Sequence, residues 1–568
     1  MKQVINIVVA GSLLAGCQTG NKQKEVEAEK PNVLFIMSDD LNDWIGCLGG
    51  HPQAKTPHID RLAQRGIVFT NAQCAAPLCG PSRSAIMTGM QPYNSGLYNN
   101  SNAHIETRKE LVTMPQYFRN AGYYVAGAGK LFHSRGAYVQ SLFDEYGKEG
   151  PGVSGGPFLP GEINSDLQNP THTVDRGEGK LKAVLPLNGM PNDRPYNKYN
   201  TFDWGPVDVT DDEMVDGVTT NYVVNQLKQK HDKPFFIAAG FFRPHQPLFA
   251  PRKYHDLYPV DSMILPKVLE NDLDDVSQTA KEFGRLAATS GTHKTVLENG
   301  QWKSAVSSYL ACVSFVDAQI GRILNTLDNS EYAENTIVVF MGDNGWHLGE
   351  KEHWGKWTGW EQSSRVPLII VPPKSGKYSK KNATTSAMVS LIDLFPTLIE
   401  MTGLNPAEHL DGTSLVPLLK TSAEAQARAR VEAKAQDHIV TTFGYGNNTV
   451  ITPKWHYIHY FDGSEELYNL STDRSEWHNL ISKQEYRATA DSLKAFMPAY
   501  PEVKHFVRWK NWKAVITKDS EKVELYDITS RSGIMDKVNV ANDNKDVLLS
   551  IEEYLENYNV EDKYLIIK

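Results

Sequence analysis

Four apolar runs limit what this chain can fold into. They are "NVLFIM" from Asn32, "FFIAAGFF" from Phe235, "TIVVFM" from Thr336 and "VPLIIV" from Val366. Each is too short for a membrane span and too continuously apolar for a strand with one wet face. Such runs are strands covered on both sides. Between them lie segments with helical spacing. "TPHIDRLAQRG" has Thr56 as an N-cap, Pro57 at its first position and Gly66 just past its end. "TMPQYFRNAG", "SYLACVSFVDAQIGRILNTL" and "MVSLIDLFPTLIEMTG" also read as helices. "GIVFTNAQ" and "YYVAGAGK" add strands. The alternation predicts an α/β domain with a largely parallel central sheet sandwiched by helices. Toward the C-terminus, "WHYIHYF" begins a smaller α+β subdomain.

The first residues do not belong to this fold. "MKQVINIVVAGSLLAGC" has a basic start, an apolar run and small residues, and so reads as a signal peptide over 1–16. Leu14-Ala15-Gly16-Cys17 resembles the bacterial lipobox, which predicts lipidation of Cys17, a polar tether over 17–30 and attachment to a membrane. The expected setting is the periplasm or cell surface of a Gram-negative bacterium. The main domain is expected over 31–430, with an inserted loop region at 150–200 rich in Gly, Pro and Asn, and the subdomain over 431–568. A net charge of -9 excludes the basic excess that nucleic-acid binding needs. Five cysteines, Cys17, Cys47, Cys74, Cys79 and Cys312, are too few for a disulfide scaffold, and the sequence leaves open whether Cys47 and Cys74 pair. "EELYNLSTDRSEWHNL" is echoed by "VELYDITSRSGIMDKVNVA", which is either a partial repeat or a coincidence.

Two strand ends carry oxygen-rich pairs: Asp39-Asp40 and Asp343-Asn344. Ligands of open α/β sheets bind beyond the carboxyl ends of strands. Oxygen ligands without histidine suit Ca²⁺ or Mg²⁺. Either pair alone reads equally well as turn residues. "PLCGPSRSAIMTG" changes the balance. It predicts a helix over Pro81–Thr88 that ends at Gly89, with Cys79 at or just before its cap. A thiol there feels the positive end of the helix and is more acidic.

This stretch matches Cys-x-Pro-Ser-Arg-x-x-x-x-Thr-Gly and so resembles the signature of type I sulfatases, in which the cysteine is oxidised to formylglycine. The resemblance extends through "NVLFIMSDD", "TPHIDRLAQRGIVFTNA", "GKLFH", "RPHQP", "GDNGWHLGE", "LDGTSLVPLL" and "ELYNL", and is nearest to iduronate-2-sulfatase-like members. It implies an alkaline-phosphatase-like core and one calcium ion held by Asp39, Asp40, Asp343, Asn344 and modified Cys79. It also implies that Arg83 holds the formylglycine, and that Lys130, His133, His245 and Lys356 form the sulfate pocket. Asn344 stands where iduronate-specific relatives often have His.

The mechanism implied is attack on sulfur by hydrated formylglycine, with proton donation by His245 to the leaving sugar oxygen. His133 then removes a proton so that sulfate is expelled. The expected substrate is a sulfated oligo- or polysaccharide, a uronic acid or related sugar of glycosaminoglycan or of algal polymers such as ulvan. A formylglycine-generating enzyme is the expected maturation partner. Two other functions compete: a phosphate or phosphonate monoester hydrolase of the same superfamily, and a lipoprotein that only captures sulfated glycan. Substrate contacts are expected from Asn99–His104, the 150–200 insertion, His353 and "GYGNN" at Gly444–Asn448.

Overall fold

The computed structural model describes residues 30–100, 105–134, 136–147, 202–287, 291–374, 382–419, 437–518, 522–528, 539–558 and a few shorter stretches. The expected signal peptide, Cys17, the tether to residue 29, His104, most of the 150–200 insertion and the Ala-rich stretch at 420–436 lie outside the described residues. Within the insertion, strands Glu162–Asn164, Thr171–Asp175 and Lys180–Val184 pair antiparallel.

The apolar runs assemble into one eight-stranded sheet. Its strands are β1 (Asn32–Asp39), β2 (Ile67–Gln73), β3 (Tyr124–Gly129), β4 (Glu145–Tyr146), β5 (Phe235–Pro244), β6 (Thr336–Gly342), β7 (Arg365–Val371) and β8 (Ala383–Ser390). Their order is β8-β2-β7-β6-β1-β5-β3-β4. Every neighbouring pair is parallel except the two made by β7. β7 contains Pro367, which has no N–H to give, and its pairing with β2 shifts register there, between Val366 and Leu368.

Both sheet faces are covered, which explains the continuous runs. Alternate residues of β1 serve different cores. Leu34 and Ile36 pack with Val316, Ile320 and Leu324, whereas Val33, Phe35 and Met37 pack with Met114, Phe118, Leu394 and Leu398.

The helices that matter for the site are α1 (Pro57–Ala63), α2 (Cys79–Thr88), α3 (Met114–Asn120), α4 (Val215–Lys228), α5 (Trp302–Asp328) and α6 (Leu394–Met401). Three expectations need correction. Thr56 precedes α1 but its hydroxyl accepts the Gly46 N–H at 2.8 Å instead of capping. Asp317 of α5 caps α1 in its place, accepting the N–H groups of His58 and Ile59. "MVSLIDLFPTLIEMTG" is not one helix: Met388–Ser390 finish β8, and α6 begins only at Leu394. Finally, Cys79 is the first residue of α2, not a residue before it. Cys47, Cys74, Cys79 and Cys312 are all free thiols.

The C-terminal region settles the sequence echo. One sheet contains β9 (Ile439–Thr442), β10 (Asn448–Ile451), β11 (Trp455–His459) and β12 (Glu465–Asn469), followed by helix α7 (Arg487–Lys494). A second contains β13 (Val503–Trp509), β14 (Trp512–Thr517) and β15 (Val523–Asp527), then helix α8 (Lys545–Asn557) and β16 (Tyr564–Ile567). In the first unit, Asn479 Oδ1 accepts the N–H groups of Leu467 and Ile481. In the second, Asn539 Oδ1 accepts those of Leu525 and Ala541. The same asparagine locks the same strand in both units, so the echo is a structural repeat.

Candidate active site

Along a strand, neighbouring side chains point to opposite faces, so Asp39 and Asp40 would diverge. Asp40 instead takes a left-handed φ of 63°, which turns the chain and lets the two carboxylates converge. Tyr309 of α5 fixes this turn. Its hydroxyl donates to the Asp40 carbonyl at 2.8 Å and accepts the Asn42 N–H at 3.1 Å. Asp343 follows β6, the parallel neighbour of β1, and its Oδ1 accepts the N–H groups of Asp40 (3.1 Å) and Asn344 (2.8 Å). The Asn344 amide donates to Asp40 Oδ1 at 2.8 Å. Asp39, Asp40 and Asp343 each offer an oxygen within 4.8 Å of the others, and none is exposed.

Three cationic side chains face these carboxylates. Arg83, on the second turn of α2, donates from Nε to Asp343 Oδ2 at 2.6 Å and from Nη1 to the Lys130 carbonyl, and its Nη2 lies 3.8 Å from Asp39. Lys130 bonds Asp39, and Lys356 bonds Asp40. Lys130 is placed by a close approach of β3 to β5. A Cβ on Gly240 would sit 2.2 Å from the Lys130 carbonyl carbon, so only glycine fits. Lys356 arrives on a bent segment in which Lys351, Glu352 and Trp357 all have positive φ.

The cluster has a defect that a cation would repair. Asp39 Oδ1 and Asp40 Oδ2 are buried without a hydrogen-bond partner. Burial, opposed by Lys356 but reinforced by Asp39 and Asp343, raises Asp40 well above the ordinary carboxylate range. Burial acts on Asp39 too, but Lys130, His245, Lys356 and Arg83 outweigh it and hold that carboxyl well below the range. Burial, against Arg83, pushes Asp343 up to about 6. A divalent cation among these carboxylates would favour the ionised form of all three. Oxygen donors alone suit a hard divalent ion such as calcium.

Cys79 lies beside this cluster, buried, with Sγ 3.3 Å from His133 Nδ1. Burial raises its thiol, but Lys130, Lys356 and Arg83 more than offset this and hold it below the ordinary range. His245 has 22% of its side chain exposed and its Nε2 3.9 Å from Asp40 Oδ2. Burial, opposed by Asp39, pushes its imidazole well below the usual value. All ten residues singled out in the sequence thus meet in one place.

The site also contains residues the sequence did not single out for it. Asn100 Oδ1 accepts the Gly80 N–H at 2.9 Å, capping the first turn of α2, and its amide lies 3.7 Å from Cys79 Sγ. A Cβ on Gly80 would come within 2.4 Å of that oxygen, which explains glycine at this variable position of the motif. Ser82 donates to the Asp343 carbonyl at 2.5 Å. No spacing rule links Asn100 to Cys79; the sequence placed it only within the substrate-contact stretch Asn99–His104. Other expected contacts do not face a substrate. His353 is fully buried with its ring nitrogens on the Gly284 and Lys356 carbonyls, at 2.8 and 3.0 Å. Asn447 and Asn448 are buried and bonded to Phe461 N–H and to Tyr500.

The sheet and this cluster define an α/β protein of the alkaline-phosphatase-like fold. Comparison with known proteins carries this further. The family described as Sulfatase matches residues 31–404, and one described as N-sulphoglucosamine sulphohydrolase, C-terminal, matches 349–502. The chain belongs to the sulfatase family, whose members hydrolyse sulfuric esters. It is 36% identical to a sulfatase of Formosa agariphila over 86% of this chain and 91% of that protein. It is 30% identical to iduronate 2-sulfatase of Mus musculus over 66% and 69%. A solved structure described in complex with its substrate D-glucosamine-2-N,6-O-disulfate has a TM-score of 0.61 at 21% identity, covering 82% of this chain and 96% of that one. A phosphonate monoester hydrolase from Silicibacter pomeroyi has a TM-score of 0.62 at 18% identity, covering 82% and 94%, so the fold alone does not choose between the two chemistries.

Proposed function

We propose that this sulfatase releases sulfate from a sulfated carbohydrate, using Cys79 matured to formylglycine and one calcium ion. Asp39, Asp40, Asp343, Asn344 and matured residue 79 would hold the ion. The observation that carries this reading is the juxtaposition of Cys79, in contact with His133, and three buried carboxylates, two of which keep an oxygen without a hydrogen-bond partner. Calcium supplies a fixed double positive charge, and hydrated formylglycine supplies two hydroxyls in place of the thiol.

The remaining work falls to this chain's side chains. Arg83, Lys130 and Lys356 bring positive charge to the sulfate oxygens. His245 delivers a proton to the leaving sugar oxygen, an assistance typically ~10²–10⁴-fold in rate. His133, already against residue 79, takes a proton there so that sulfate departs. Charge favours sulfate over a phosphate dianion. Three carboxylates balance Arg83, Lys130 and Lys356, so calcium leaves the site two charges positive. A sulfate monoanion with an ionised nucleophile neutralises that; a phosphate dianion overshoots it.

The sugar is read as a uronic acid or related unit of glycosaminoglycan or algal polysaccharide. The likeness to iduronate 2-sulfatase and the sulfated glucosamine bound in a structural neighbour support this. A formylglycine-generating enzyme would act before folding, since every residue of Cys79–Thr88 is buried. Attachment to a membrane through lipidated Cys17, in the periplasm or at the cell surface of a Gram-negative bacterium, completes the proposal. Replacing Cys17 with Ala should release the protein from membranes, and retention there would refute the anchor.

The central test pairs mass spectrometry of the residue-79 peptide with assays on aryl sulfate, aryl phosphate and a panel of defined sulfated oligosaccharides. The aldehyde or its hydrate, together with sulfate release, is expected. An unmodified cysteine in a fully active sample would sink the mechanism. Faster phosphate release would transfer the reading to the phosphohydrolases. Glycan binding without sulfate release, despite formylglycine, would leave only a capture protein.

A further inference from the structure

Residues 503–567 lie beyond the matched C-terminal family region, which ends at 502, and form the second copy of the repeat. What that copy touches suggests why it is there. Strand β9 runs beside the segment leading to the nucleophile: Thr441 Oγ1 donates to the Cys74 carbonyl at 2.8 Å, and Thr442 N–H to that of Ala75 at 2.9 Å. The loop after β9 carries Tyr445 between Gly444 and Gly446, both at positive φ. Its ring meets Tyr98 edge-on, with centroids 5.0 Å apart. Tyr98 is two residues from Asn100, whose side chain touches Cys79 Sγ and caps Gly80. Two loops almost 350 positions apart in sequence therefore meet at Tyr98 and Tyr445, and the first of them carries, two residues on, the side chain that touches the nucleophile.

The second repeat, with Tyr500 and Glu502 just before it, holds Tyr445 from behind. Phe506 and Tyr500 pack edge-on to Tyr445, each at 5.3 Å, and are themselves almost wholly buried (0% and 1% exposed). Lys513 donates to the Tyr445 carbonyl at 2.6 Å, and the Tyr445 hydroxyl donates to Glu502 at 2.6 Å. Tyr98 and Tyr445 are only half-buried, so the aromatic cluster reaches solvent through them. With Asn447 and Asn448 committed to the interior, Tyr445 is the "GYGNN" side chain left to face a ligand.

We propose that Tyr98 and Tyr445 form an aromatic platform for the sugar ring next to the scissile sulfate, and that the second repeat positions it. This rests on the sulfatase reading above and deepens it. The carboxylate–cation cluster recognises the sulfate, which is common to every substrate. A half-exposed tyrosine ring offers a flat apolar face with a polar edge, and the second ring, set against it edge-on, holds its orientation; this suits the C–H face of a saccharide and its hydroxyls. Discrimination among sulfated sugars would then reside in the platform.

The test compares Tyr445→Ala, Tyr445→Phe and Lys513→Met with the wild type. Two substrates are used: the sulfated oligosaccharide that the wild type cleaves best, and ethyl sulfate, which has no ring. Tyr445→Ala should raise KM for the oligosaccharide roughly ten-fold, from loss of an aromatic face buried on binding, with a clearly smaller effect on ethyl sulfate. Tyr445→Phe should restore the wild-type KM, and Lys513→Met should shift it in the Ala direction. Tyr98→Leu gives the same reading if Tyr445→Ala does not fold. Equal losses on both substrates, or a lowered thermal midpoint with no difference between substrates, would reduce the pair to packing and overturn the platform. Cleavage of ethyl sulfate but of no saccharide would overturn it together with the carbohydrate reading. Failure to cleave any sulfate ester, with formylglycine confirmed, would overturn the sulfatase reading itself.

Discussion

Arg83 joins three strand ends through one guanidinium: Asp343 after β6, the Lys130 carbonyl after β3, and Asp39 at the end of β1. Burial works against its charge, but Asp343 and Asp39 outweigh burial and raise its pKa. Truncation would leave two buried carboxylates short of a partner. Arg83→Ala should therefore destabilise the protein by roughly 3–5 kcal/mol and abolish activity. Arg83→Lys should keep the charge yet lose the forked contacts, and so recover stability only in part. Thermal unfolding of the two variants checks this, and an unchanged midpoint for Arg83→Ala would contradict it.

At the scale of elements, the first C-terminal repeat is tied to its helix by Glu465. Arg487 of α7 (2.6 Å), Tyr457 (2.7 Å) and Lys494 (2.9 Å) all donate to its carboxylate. Burial raises its pKa, but those donors prevail and bring it down to about 2. A carboxyl depressed on folding adds stability that is present above its unfolded pKa, about 4.3, and is lost as pH falls toward 2. The contribution is at most ~3 kcal/mol, and solvent screening at the part-exposed Arg487 and Lys494 reduces it. Denaturant titrations at pH 7 and pH 3 should show wild type losing more stability than Glu465→Gln; parallel losses would refute the assignment. The second repeat has Glu524 one position away from the equivalent place, bonded to Tyr526 instead, and owes nothing to this switch.

For the whole molecule, the proposed cation site lies where β1 and β6, both central strands, end and α2 begins. On the proposed calcium site, binding adds stability by mass action, ~4 kcal/mol at a thousand-fold excess over Kd. Chelation should therefore lower the thermal midpoint by several degrees, and calcium should restore it. A midpoint indifferent to chelation, in protein shown free of metal, would argue against the site. No helix among the described residues is long and apolar enough to cross a membrane, so membrane attachment rests on the proposed lipid at Cys17.

The sequence alone determined the layered α/β plan, because strands buried on both faces must be apolar at every position. It also determined the reaction class, because "CGPSRSAIMTG" and the two carboxylate-bearing strand ends are local patterns. The tertiary structure decided what depended on distant partners. Asp317 caps α1 from 261 positions beyond Thr56, and Asn100 caps the nucleophile helix without any spacing signature. His353 turned inward because two backbone carbonyls claim its ring. The faint echo of "ELYN" became a repeat only when Asn479 and Asn539 were seen in the same role. Hydrophobic periodicity acts within a segment and can be read along it; caps, aromatic contacts and buried charge pairs join segments and emerge only when the chain packs.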